Sequence, residues 1–466
     1  MKNFSKLMNS FSAKNSSRLI LAADERDYGR IKPVFEKAGG SFAAVKVHPE
    51  MPLYWGLSHA QAVAEIKAAT GGLPVILDAK LADIDSSNAF KAAYYFDAGF
   101  DAMICHGFSG QKAVEAIVAE AKKREGRGVF LLASMTSPGN LFGLRETIEL
   151  CRIAKNAGVD GVVAPGNDIE RLELIREIAG EGMLIISPGI GKQGGDAAKA
   201  VWAGCDYFIV GRNILESEAP DKTAKELSEA IGNPERKKVQ VPSHSAFLHT
   251  LIRKNVLKFG DFTLKSGRKS AYFFNAGNLD DGEALAQTGD AFALGIWRAG
   301  LLDEFDIIFG PAYKGIPLAA VTARSLSELF GANKSILYDR KEAKTYSDPA
   351  DTLFVGTIKE GDRILMIDDV ITTGKAKYDA LEKLKASGIL HSLAVLVVLF
   401  NRQETDLDGN SPLGELEKAG LKTYCVLTAR EVFETLKAMK DENGKPVLDG
   451  KIYGAFLEHQ KMYGVK

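Results

Sequence analysis

Residues 76–84 are Ile76-Leu77-Asp78-Ala79-Lys80-Leu81-Ala82-Asp83-Ile84, an apolar strand that ends among three charged side chains. Successive side chains of a strand alternate between its two faces, so Asp78 and Lys80 are predicted to point the same way. Charges at the carboxyl end of a buried strand are typical of the active-site rim of a parallel barrel. Asp83 lies just past the strand, where it can reach outward, even into a neighbouring subunit.

Seven more apolar runs of strand length occur in the first half, and helix-like segments fall between them. The eight runs are Leu19–Ala23, Phe42–Val47, Val75–Ala79, Ala102–Cys105, Val129–Ala133, Gly161–Ala164, Leu184–Ser187 and Tyr207–Val210. Eight such units predict a (β/α)8 TIM barrel. An open doubly wound sheet is the alternative that this rhythm leaves available.

The polar stretch 233–244 breaks the rhythm and contains a proline near each end, which predicts a linker between domains spanning 1–232 and 245–466. The second half has fewer and more varied elements. Its strand-like runs are Asp306–Phe309, Ser335–Tyr338, Arg363–Ile367, Ser392–Phe400 and Thr423–Leu427. The pattern predicts a smaller α/β domain with a parallel sheet.

The bulk composition of the 466 residues narrows the classes of function. The net charge is -1, so the protein has no overall positive potential that would attract nucleic acid. No apolar run reaches the roughly 20 residues that a membrane-spanning helix needs. Four separated cysteines argue against a zinc site or disulfide framework and favour a reducing, cytoplasmic location. The basic, serine-rich stretch Met1–Ala23 leaves a transit peptide as the alternative to an ordered segment leading into the first strand.

Two further charges are predicted to join the rim formed by Asp78 and Lys80. Lys46 ends the second run and Asp24 follows the first, so four charges of both signs converge. For each residue alone, a structural ion-pair network is the alternative. Taken together they favour a functional site, because charges inside a barrel mouth are costly without a task.

Glycine-rich turns follow the seventh and eighth runs. Ser187-Pro188-Gly189-Ile190-Gly191 and Gln193 follow the seventh run, and Gly211-Arg212 follows the eighth. These two loops are the usual phosphate cradle of such barrels, and Arg212 can add a bidentate contact. Plain turns are the alternative for either loop alone.

Over about residues 15–230, these features resemble orotidine 5′-phosphate decarboxylases. The resemblance rests on the Asp-x-Lys-x-x-Asp-Ile segment, Lys46, His106-Gly107-Phe108, Ser187-Pro188-Gly189 and Gly211-Arg212. It implies decarboxylation of orotidine monophosphate (OMP) to UMP without a cofactor. A group of metal-dependent barrels acting on ketose phosphates shares the Asp-x-Lys-x-x-Asp pattern and is the runner-up.

The resemblance also assigns roles to residues. Lys46, Asp78, Lys80 and Asp83 would form a charged tetrad, in which Lys80 protonates C6 of the pyrimidine and Asp83 enters the partner's site in a dimer. The implied substrate-binding residues are Asp24 and Ser87 for the ribose, Thr136 for the pyrimidine, Gln193 and Arg212 for the phosphate, and also Pro188 and Gly211.

A second candidate site lies in the stretch 364–376, where an apolar strand is followed by Asp368, Asp369 and a small-residue turn into a helix. The N–H groups of such a turn and the helix dipole suit a 5′-phosphate, contacted by Thr372, Thr373, Gly374 and Lys375. The two acids can accept hydrogen bonds from ribose hydroxyls. A helix-capping loop is the alternative, and the spacing of a Walker loop is absent.

This segment resembles the phosphoribosyl pyrophosphate (PRPP) motif of type I phosphoribosyltransferases. Phe262–Asn275, Gly310–Pro317 and Arg340–Lys344 resemble orotate phosphoribosyltransferases in particular, over about residues 245–466. The resemblance implies Mg²⁺ held mainly by PRPP and a mobile loop at 341–351. The implied ligands are Lys265, Phe273, Phe274 and Arg402 for orotate, and Tyr313, Lys314, Arg340, Lys341 and Lys344 for pyrophosphate. Asp368 and Asp369 would steady the ribose as positive charge develops at C1.

Taken together, the resemblances imply that the second domain makes the substrate of the first. The chain would convert orotate and PRPP through OMP to UMP in the cytoplasm, as a homo-oligomer that is at least a dimer. Two alternatives remain: a sugar-phosphate barrel fused to another phosphoribosyltransferase, and a nucleotide-sensing module. Phe273, Phe274 and Arg402 argue against the first alternative, and Lys341 and Lys344 argue against the second.

Overall fold

The eight apolar runs of the first half form a closed barrel in which every strand is parallel to its neighbours and the eighth pairs with the first. The strands are β1 (Leu19–Ala22), β2 (Ala44–Val47), β3 (Val75–Leu81), β4 (Ala102–His106), β5 (Gly128–Leu132), β6 (Gly161–Val163), β7 (Leu184–Ser187) and β8 (Tyr207–Val210). The predicted barrel is therefore confirmed, and the open-sheet alternative is wrong because β8 closes onto β1.

A computed structural model describes residues 3–189, 197–232, 244–264, 267–340, 353–371, 375–386, 391–418, 420–440 and 445–465. The chain divides into two units, Met1–Val241 and Pro242–Lys466. Of the predicted linker 233–244, only His244 is among the described residues.

In the first unit one helix precedes the first strand, and the other helices follow the strands around the barrel. They are α1 (Asn3–Asn15), α2 (Tyr28–Ala38), α3 (Met51–Tyr54), α4 (His59–Thr70), α5 (Asp85–Asp97), α6 (Gln111–Lys122), α7 (Leu144–Ala157), α8 (Ile169–Ala179), α9 (Ala197–Trp202), α10 (Arg212–Leu215) and α11 (Pro220–Ile231). Local sequence sets their ends, as α4 shows: Ser58 and Gln61 form a capping box, and Gly71 ends the helix in the left-handed conformation.

Helix α1 belongs to the core of the barrel. Phe4 and Met8 are fully buried and pack with Ile20, Ile76 and Phe130 among the inward-facing strand residues. The rings of Phe4 and Phe130 meet edge to face with centroids 5.8 Å apart. The stretch before β1 is thus ordered, as the sequence predicted, and it forms a helix, which was not predicted.

The amino end of the barrel is stabilised by a repeated turn, Ala-Gly-x-Asp, which precedes β4, β6 and β8. In the first copy, Asp101 accepts a hydrogen bond from the backbone N–H of Val75 on the neighbouring β3, at 2.9 Å. The same contact joins Asp160 to Val129 and Asp206 to Ile185. These carboxylates satisfy strand N–H groups at the end of the barrel opposite the usual active-site face.

The second unit contains a six-stranded sheet of order β13-β12-β11-β14-β15-β16, in which β13 is antiparallel to β12 and the other pairs are parallel. The strands are β11 (Ile307–Phe309), β12 (Ser335–Asp339), β13 (Phe354–Val355), β14 (Arg363–Val370), β15 (Ser392–Asn401) and β16 (Lys422–Thr428). The predicted parallel sheet is confirmed. The antiparallel hairpin of β9 (Leu257–Thr263) and β10 (Lys269–Phe274), and the short β13, were not predicted.

Helices of the second unit are α12 (Ser245–Arg253), α13 (Gly282–Arg298), α14 (Gly315–Phe330), α15 (Lys375–Ala386), α16 (Pro412–Lys418), α17 (Ala429–Ala438) and α18 (Gly450–Tyr463). Helices α13 and α14 approach closely at Gly289, where an added Cβ would lie 2.5 Å from the carbonyl oxygen of Val321. Among the described residues of the whole chain, no helix has the length and apolar character that crossing a bilayer requires.

Candidate active sites

The first candidate site is built around Lys46, whose side chain is only 6% exposed near the carboxyl end of β2. Its Nζ lies 3.4 Å from Oδ1 of Asp24, 3.3 Å from Oδ2 of Asp78 and 2.9 Å from Nε2 of His48. A buried ammonium is tolerated only where opposite charge and hydrogen bonds replace water. The predicted convergence of Asp24, Lys46 and Asp78 is therefore present.

Asp78 holds the second lysine of this cluster. Nζ of Lys80 lies 2.7 Å from Oδ1 of Asp78, so this carboxylate is shared between two ammonium groups. Burial alone would raise the pKa of Asp78, but Lys46, Lys80 and His48 outweigh it, and the pKa lies below its usual value. Asp78 is thus an anion fixed between cations, and it orients Lys80.

The end of β3 is irregular where these charges lie. In the pairing of β3 with β4, Leu77 lies opposite Met103, and the next pair is Leu81 opposite Cys105. Between these two pairs, β3 has two more residues than β4. Lys80 lies inside this bulge with a φ of 46°, in the left-handed region that non-glycine residues rarely adopt. Its meeting with Asp78 therefore depends on a bulge and not on simple strand alternation.

His48 is a member of the cluster that the sequence reasoning missed. Its Nε2 lies 3.7 Å from Asp24 and 3.6 Å from Asp78, in addition to its contact with Lys46. The signal was present in the sequence, because His48 lies two residues after Lys46 and residues at this spacing share one face of a strand.

Asp83 lies at the rim, away from the other three members of the predicted tetrad. Its Oδ2 accepts a hydrogen bond of 2.7 Å from Lys91, which, with the N–H of Ile84, lowers the pKa of Asp83. Ser87 follows in the first turn of α5. The predicted reach of Asp83 into a partner's site stays a prediction, because it concerns a second chain.

A cavity of about 300 Å³ joins this cluster to the predicted phosphate loops at the carboxyl ends of the strands. The charged cluster forms one part of its wall, and Pro188, Gly211 and Arg212 form another, with Thr136 also on the lining. A larger groove of about 850 Å³ lies at the amino end of the barrel, lined largely by polar and charged residues. We place the site in the smaller cavity, because barrels of this type bind substrates at the carboxyl ends of their strands.

The second candidate site lies at the carboxyl ends of β11 and β14, which are neighbours in the sheet. Nζ of Lys314, in the turn after β11, lies 2.8 Å from Oδ2 of Asp369 at the end of β14. Asp368 accepts a hydrogen bond from the N–H of Asp369, and Tyr313 is exposed in the same turn. Parallel α/β sheets bind ligands at this edge.

Asp339 ends β12 beside this turn, and Arg340 follows it. The Asp339 side chain is 7% exposed, accepts a hydrogen bond of 2.7 Å from the N–H of Ala312, and pairs with Lys383 of α15. The N–H of Arg340 donates to the carbonyl of Leu353, whereas its Nε is buried with no hydrogen-bond partner among the described residues.

Phe273 and Phe274, both predicted at the orotate site, lie on opposite faces of β10. Phe273 is 38% exposed and its ring centroid is 5.7 Å from that of Phe262. Phe274 is buried and stacks on Phe400 with centroids 4.5 Å apart. Successive side chains of a strand point to opposite faces, so one of these two neighbouring rings is exposed and the other is buried.

Arg402 lies in a buried cluster of charged and aromatic groups. Its Nε and Nη2 lie 3.0 and 2.8 Å from Oε1 of Glu404, Nη2 also contacts Ser270, and the guanidinium lies over the Tyr272 ring. Nε2 of His459 is 2.8 Å from the same Glu404 oxygen. Burial would raise the pKa of Glu404, but His459 and Arg402 lower it to about 2. Pairing of Arg402 with an orotate carboxylate stays a prediction.

Several predicted residues lie outside the described part of the chain. They are Gln193, Lys265, Lys341, Lys344, Thr372, Thr373 and Gly374, together with the predicted loop 341–351. Lys375 is the first residue of α15. Among the residues that the structure describes, no group of three or more His, Cys, Asp and Glu side chains is placed to hold a metal ion.

Comparison with known proteins bears on both units. A model of the orotidine 5′-phosphate decarboxylase / HUMPS family matches residues 17–227, and a phosphoribosyl transferase domain model matches residues 275–413. Orotate phosphoribosyltransferase of Agathobacter rectalis is 41% identical over 224 residues, which are 48% of this chain and 98% of the relative. The chain belongs to the orotate phosphoribosyltransferase family. In front of this transferase domain it carries an orotidine 5′-phosphate decarboxylase domain.

The chain is also similar to three further proteins. The orotate phosphoribosyltransferase of Clostridium acetobutylicum is 38% identical to the transferase domain over 221 residues, covering 47% of this chain and 97% of the relative. The match to orotidine 5′-phosphate decarboxylase from Pyrococcus horikoshii has 34% sequence identity and a TM-score of 0.42. It covers 46% of this chain and 98% of the decarboxylase chain. The match to UMP synthase from Leishmania donovani has 22% sequence identity and a TM-score of 0.49. It covers 99% of this chain and 100% of the Leishmania chain.

Proposed function

We propose that the chain is a bifunctional UMP synthase. The transferase domain joins orotate to the ribose of PRPP and releases pyrophosphate, and the decarboxylase domain converts the resulting OMP to UMP. The observation that carries the proposal is the alternating cluster Asp24–Lys46–Asp78–Lys80 in a cavity that also contains Arg212.

In the decarboxylase domain, the C6–carboxylate bond of OMP breaks and its electron pair remains on C6. Lys80 supplies a fixed ammonium at that carbon, which stabilises the developing negative charge and then donates its proton to C6. The neutral amine that remains is reprotonated from solvent. Asp78 orients Lys80 through the 2.7 Å contact, and Lys46 keeps Asp78 ionised.

Binding of the phosphate supports this chemistry from a distance. Arg212 can form a bidentate contact with the phosphate, and Pro188 and Gly211 line the same part of the cavity. Binding energy from a group remote from the reaction can hold the carboxylate against Asp78. The same residues would bind the phosphate of a sugar phosphate, so they do not distinguish the two barrel activities.

Lys46 distinguishes the decarboxylase from a metal-dependent sugar-phosphate barrel. Its ammonium lies within 3.4 Å of both Asp24 and Asp78, the carboxylates that would have to hold a metal ion in such a barrel. Because Lys46 already supplies the positive charge there, we infer that the barrel acts without a metal ion.

In the transferase domain, Asp368 and Asp369 steady the ribose as positive charge develops at C1, and Lys314 with Arg340 faces the pyrophosphate. Carboxylate oxygens beside a pyrophosphate suit Mg²⁺, which when bound neutralises charge on the leaving group. Asp369 already pairs with Lys314, so we propose that PRPP itself supplies most of the Mg²⁺ ligands.

We also propose that the enzyme is at least a dimer and that it is cytoplasmic. Asp83 directly precedes a segment in which the large apolar side chains of Ile84, Phe90 and Tyr94 are exposed, and exposed apolar surface favours a protein interface there. The four cysteines are all free, which suits a reducing compartment.

A subunit-mixing experiment tests whether Asp83 enters the partner's site. Lys80→Ala chains and Asp83→Ala chains are each expected to be inactive in decarboxylation. In a mixed dimer, one site would combine an intact Lys80 with the partner's intact Asp83, so decarboxylation should recover; absence of recovery refutes the sharing of sites.

A single assay tests the activity. The purified full chain receives orotate, PRPP and Mg²⁺, and OMP, UMP and carbon dioxide are measured by chromatography and gas trapping. We expect all three, and we expect the Asp368→Ala/Asp369→Ala variant to form no OMP while still decarboxylating added OMP. A chelator should likewise stop orotate consumption and leave OMP decarboxylation unchanged. Consumption of orotate by the double variant at the normal rate would remove the acids from the mechanism.

A further inference from the structure

We propose that Asp339 is a positioning residue of the transferase domain, which holds the turn after β11 in the shape that binds the pyrophosphate of PRPP. This inference rests on the proposed transferase function. Asp339 does not itself face the substrate; it acts through the backbone of the turn and through Lys383.

Hydrogen bonds hold the turn after β11 at both of its ends and in its middle. It begins at Gly310, whose N–H donates to the carbonyl of Leu337 on β12, and it ends where the N–H of Gly315 donates to the carbonyl of Pro311. A side chain at Gly310 would collide with the carbonyl of Gly315, so the two ends are pressed together. Between them, the N–H of Ala312 is held by Oδ1 of Asp339 at 2.7 Å.

Asp339 also connects other segments that meet at this site. It is the last residue of β12 and directly precedes Arg340, whose buried Nε has no hydrogen-bond partner among the described residues and is a candidate donor to an anion. Its second oxygen pairs with Lys383, on the helix that follows the predicted 5′-phosphate turn. One carboxylate therefore fixes the pyrophosphate turn, the arginine and α15 with respect to each other.

The charge of Asp339 requires Lys383. A buried carboxylate is costly unless it is paired and hydrogen-bonded, and an unpaired negative charge beside a pyrophosphate would also repel the substrate. Lys383 removes both penalties. The pair thus supplies a rigid acceptor for the Ala312 N–H without adding net negative charge at the site.

The test compares Asp339→Ala with Asp339→Asn in the full chain. Asp339→Ala removes the acceptor for the Ala312 N–H and should raise the KM for PRPP about tenfold. This factor corresponds to the loss of one charge-assisted hydrogen bond. The KM for orotate should stay within about twofold of the wild-type value. Asp339→Asn retains an oxygen for the Ala312 N–H and should restore the KM for PRPP to within about twofold of the wild type.

Asp306→Ala is the matched control. Asp306 also accepts a backbone N–H, that of Arg363, and pairs with the Arg363 side chain, but it lies at the opposite end of the sheet. Its loss should leave the KM for PRPP unchanged. The kcat for orotate consumption at saturating PRPP and the thermal unfolding curve of each preparation report that the transferase domain is folded, because decarboxylation of added OMP tests only the other unit.

The outcomes separate the two ideas. If the wild type does not join orotate to PRPP, the proposed function fails. If it does, and Asp339→Ala has an unchanged KM for PRPP or raises both KM values equally, the positioning role is overturned. If Asp339→Ala is insoluble, Lys383→Met provides the test. This variant leaves the charge of Asp339 unpaired, so we expect its KM for PRPP to exceed that of the wild type, and by more at low salt than at high salt. Equal KM values for PRPP in the wild type and in Lys383→Met would overturn the proposal.

Discussion

Replacing Lys80 with alanine should stop the pathway at OMP. General acid catalysis contributes about 10²–10⁴ to a rate, and one fixed donor at a developing anion contributes about 10²–10³. Lys80 provides both, so we expect the rate of UMP formation to fall at least about 10⁴-fold, or roughly 5.5 kcal/mol in the barrier. OMP should accumulate in its place.

The structure predicts that the variant still folds. The Lys80 side chain is 34% exposed, and Asp78 keeps its contacts with Lys46 and His48. A partly exposed ion pair contributes only about 0–1 kcal/mol, so the melting temperature should fall by no more than a few degrees. The loss of activity would therefore measure chemistry and not unfolding.

The assay follows OMP and UMP together after adding orotate, PRPP and Mg²⁺, so orotate consumption serves as an internal standard. Lys67→Ala is the control, because Lys67 is 33% exposed and its Nζ lies 2.9 Å from Asp101 at the amino end of the barrel. It should retain both activities. If Lys80→Ala forms UMP at more than about a hundredth of the wild-type rate, the assigned proton donor is wrong.

Three further predictions concern buried groups. Lys46→Met removes the most buried cation from Asp78, so the pKa of Asp78 should rise and denaturant unfolding should show a loss of about 3–5 kcal/mol; an unchanged unfolding curve would contradict the buried pairing. The pKa of Glu404 is about 2, well below its value in the unfolded chain, so its ionisation contributes roughly 3 kcal/mol above pH 4.5 that is lost as the pH falls towards 2. The stability difference between the wild type and Glu404→Gln should therefore be large at pH 7 and shrink at pH 3, and a constant difference would refute the linkage. Burial raises the pKa of each of the four cysteine thiols to about 12, so none should react with Ellman's reagent at pH 8 until the chain is unfolded; rapid labelling of the native chain would show that a thiolate is accessible.

The barrel could be predicted because parallel strands buried on both faces are continuous apolar runs. All eight runs were visible in the sequence, as were five strands of the second sheet. The hairpin was not, because residues of β9 are mostly exposed and include Gly260, so no apolar run marks it. Strand β13 has only two residues and pairs through its position beside β12.

The sites were predicted less completely than the folds. Charges at strand ends identified Asp24, Lys46, Asp78 and Lys80, because the carboxyl ends of parallel strands share one edge. The bulge in β3 was not predictable, since it depends on pairing with β4. Asp339 and Lys383 were also missed, because their contact joins a strand end to a helix 44 residues further on. Tertiary contacts of this kind leave no mark in local sequence.

The left-handed backbone at Lys80 has a consequence for engineering this chain. A non-glycine residue in that conformation carries roughly 1–2 kcal/mol of strain, which glycine would relieve. A library screened for thermal resistance alone would accordingly enrich glycine at this position and discard the ammonium. Variants of the barrel should for that reason be ranked by turnover and melting temperature together, because at this residue the two criteria favour opposite substitutions.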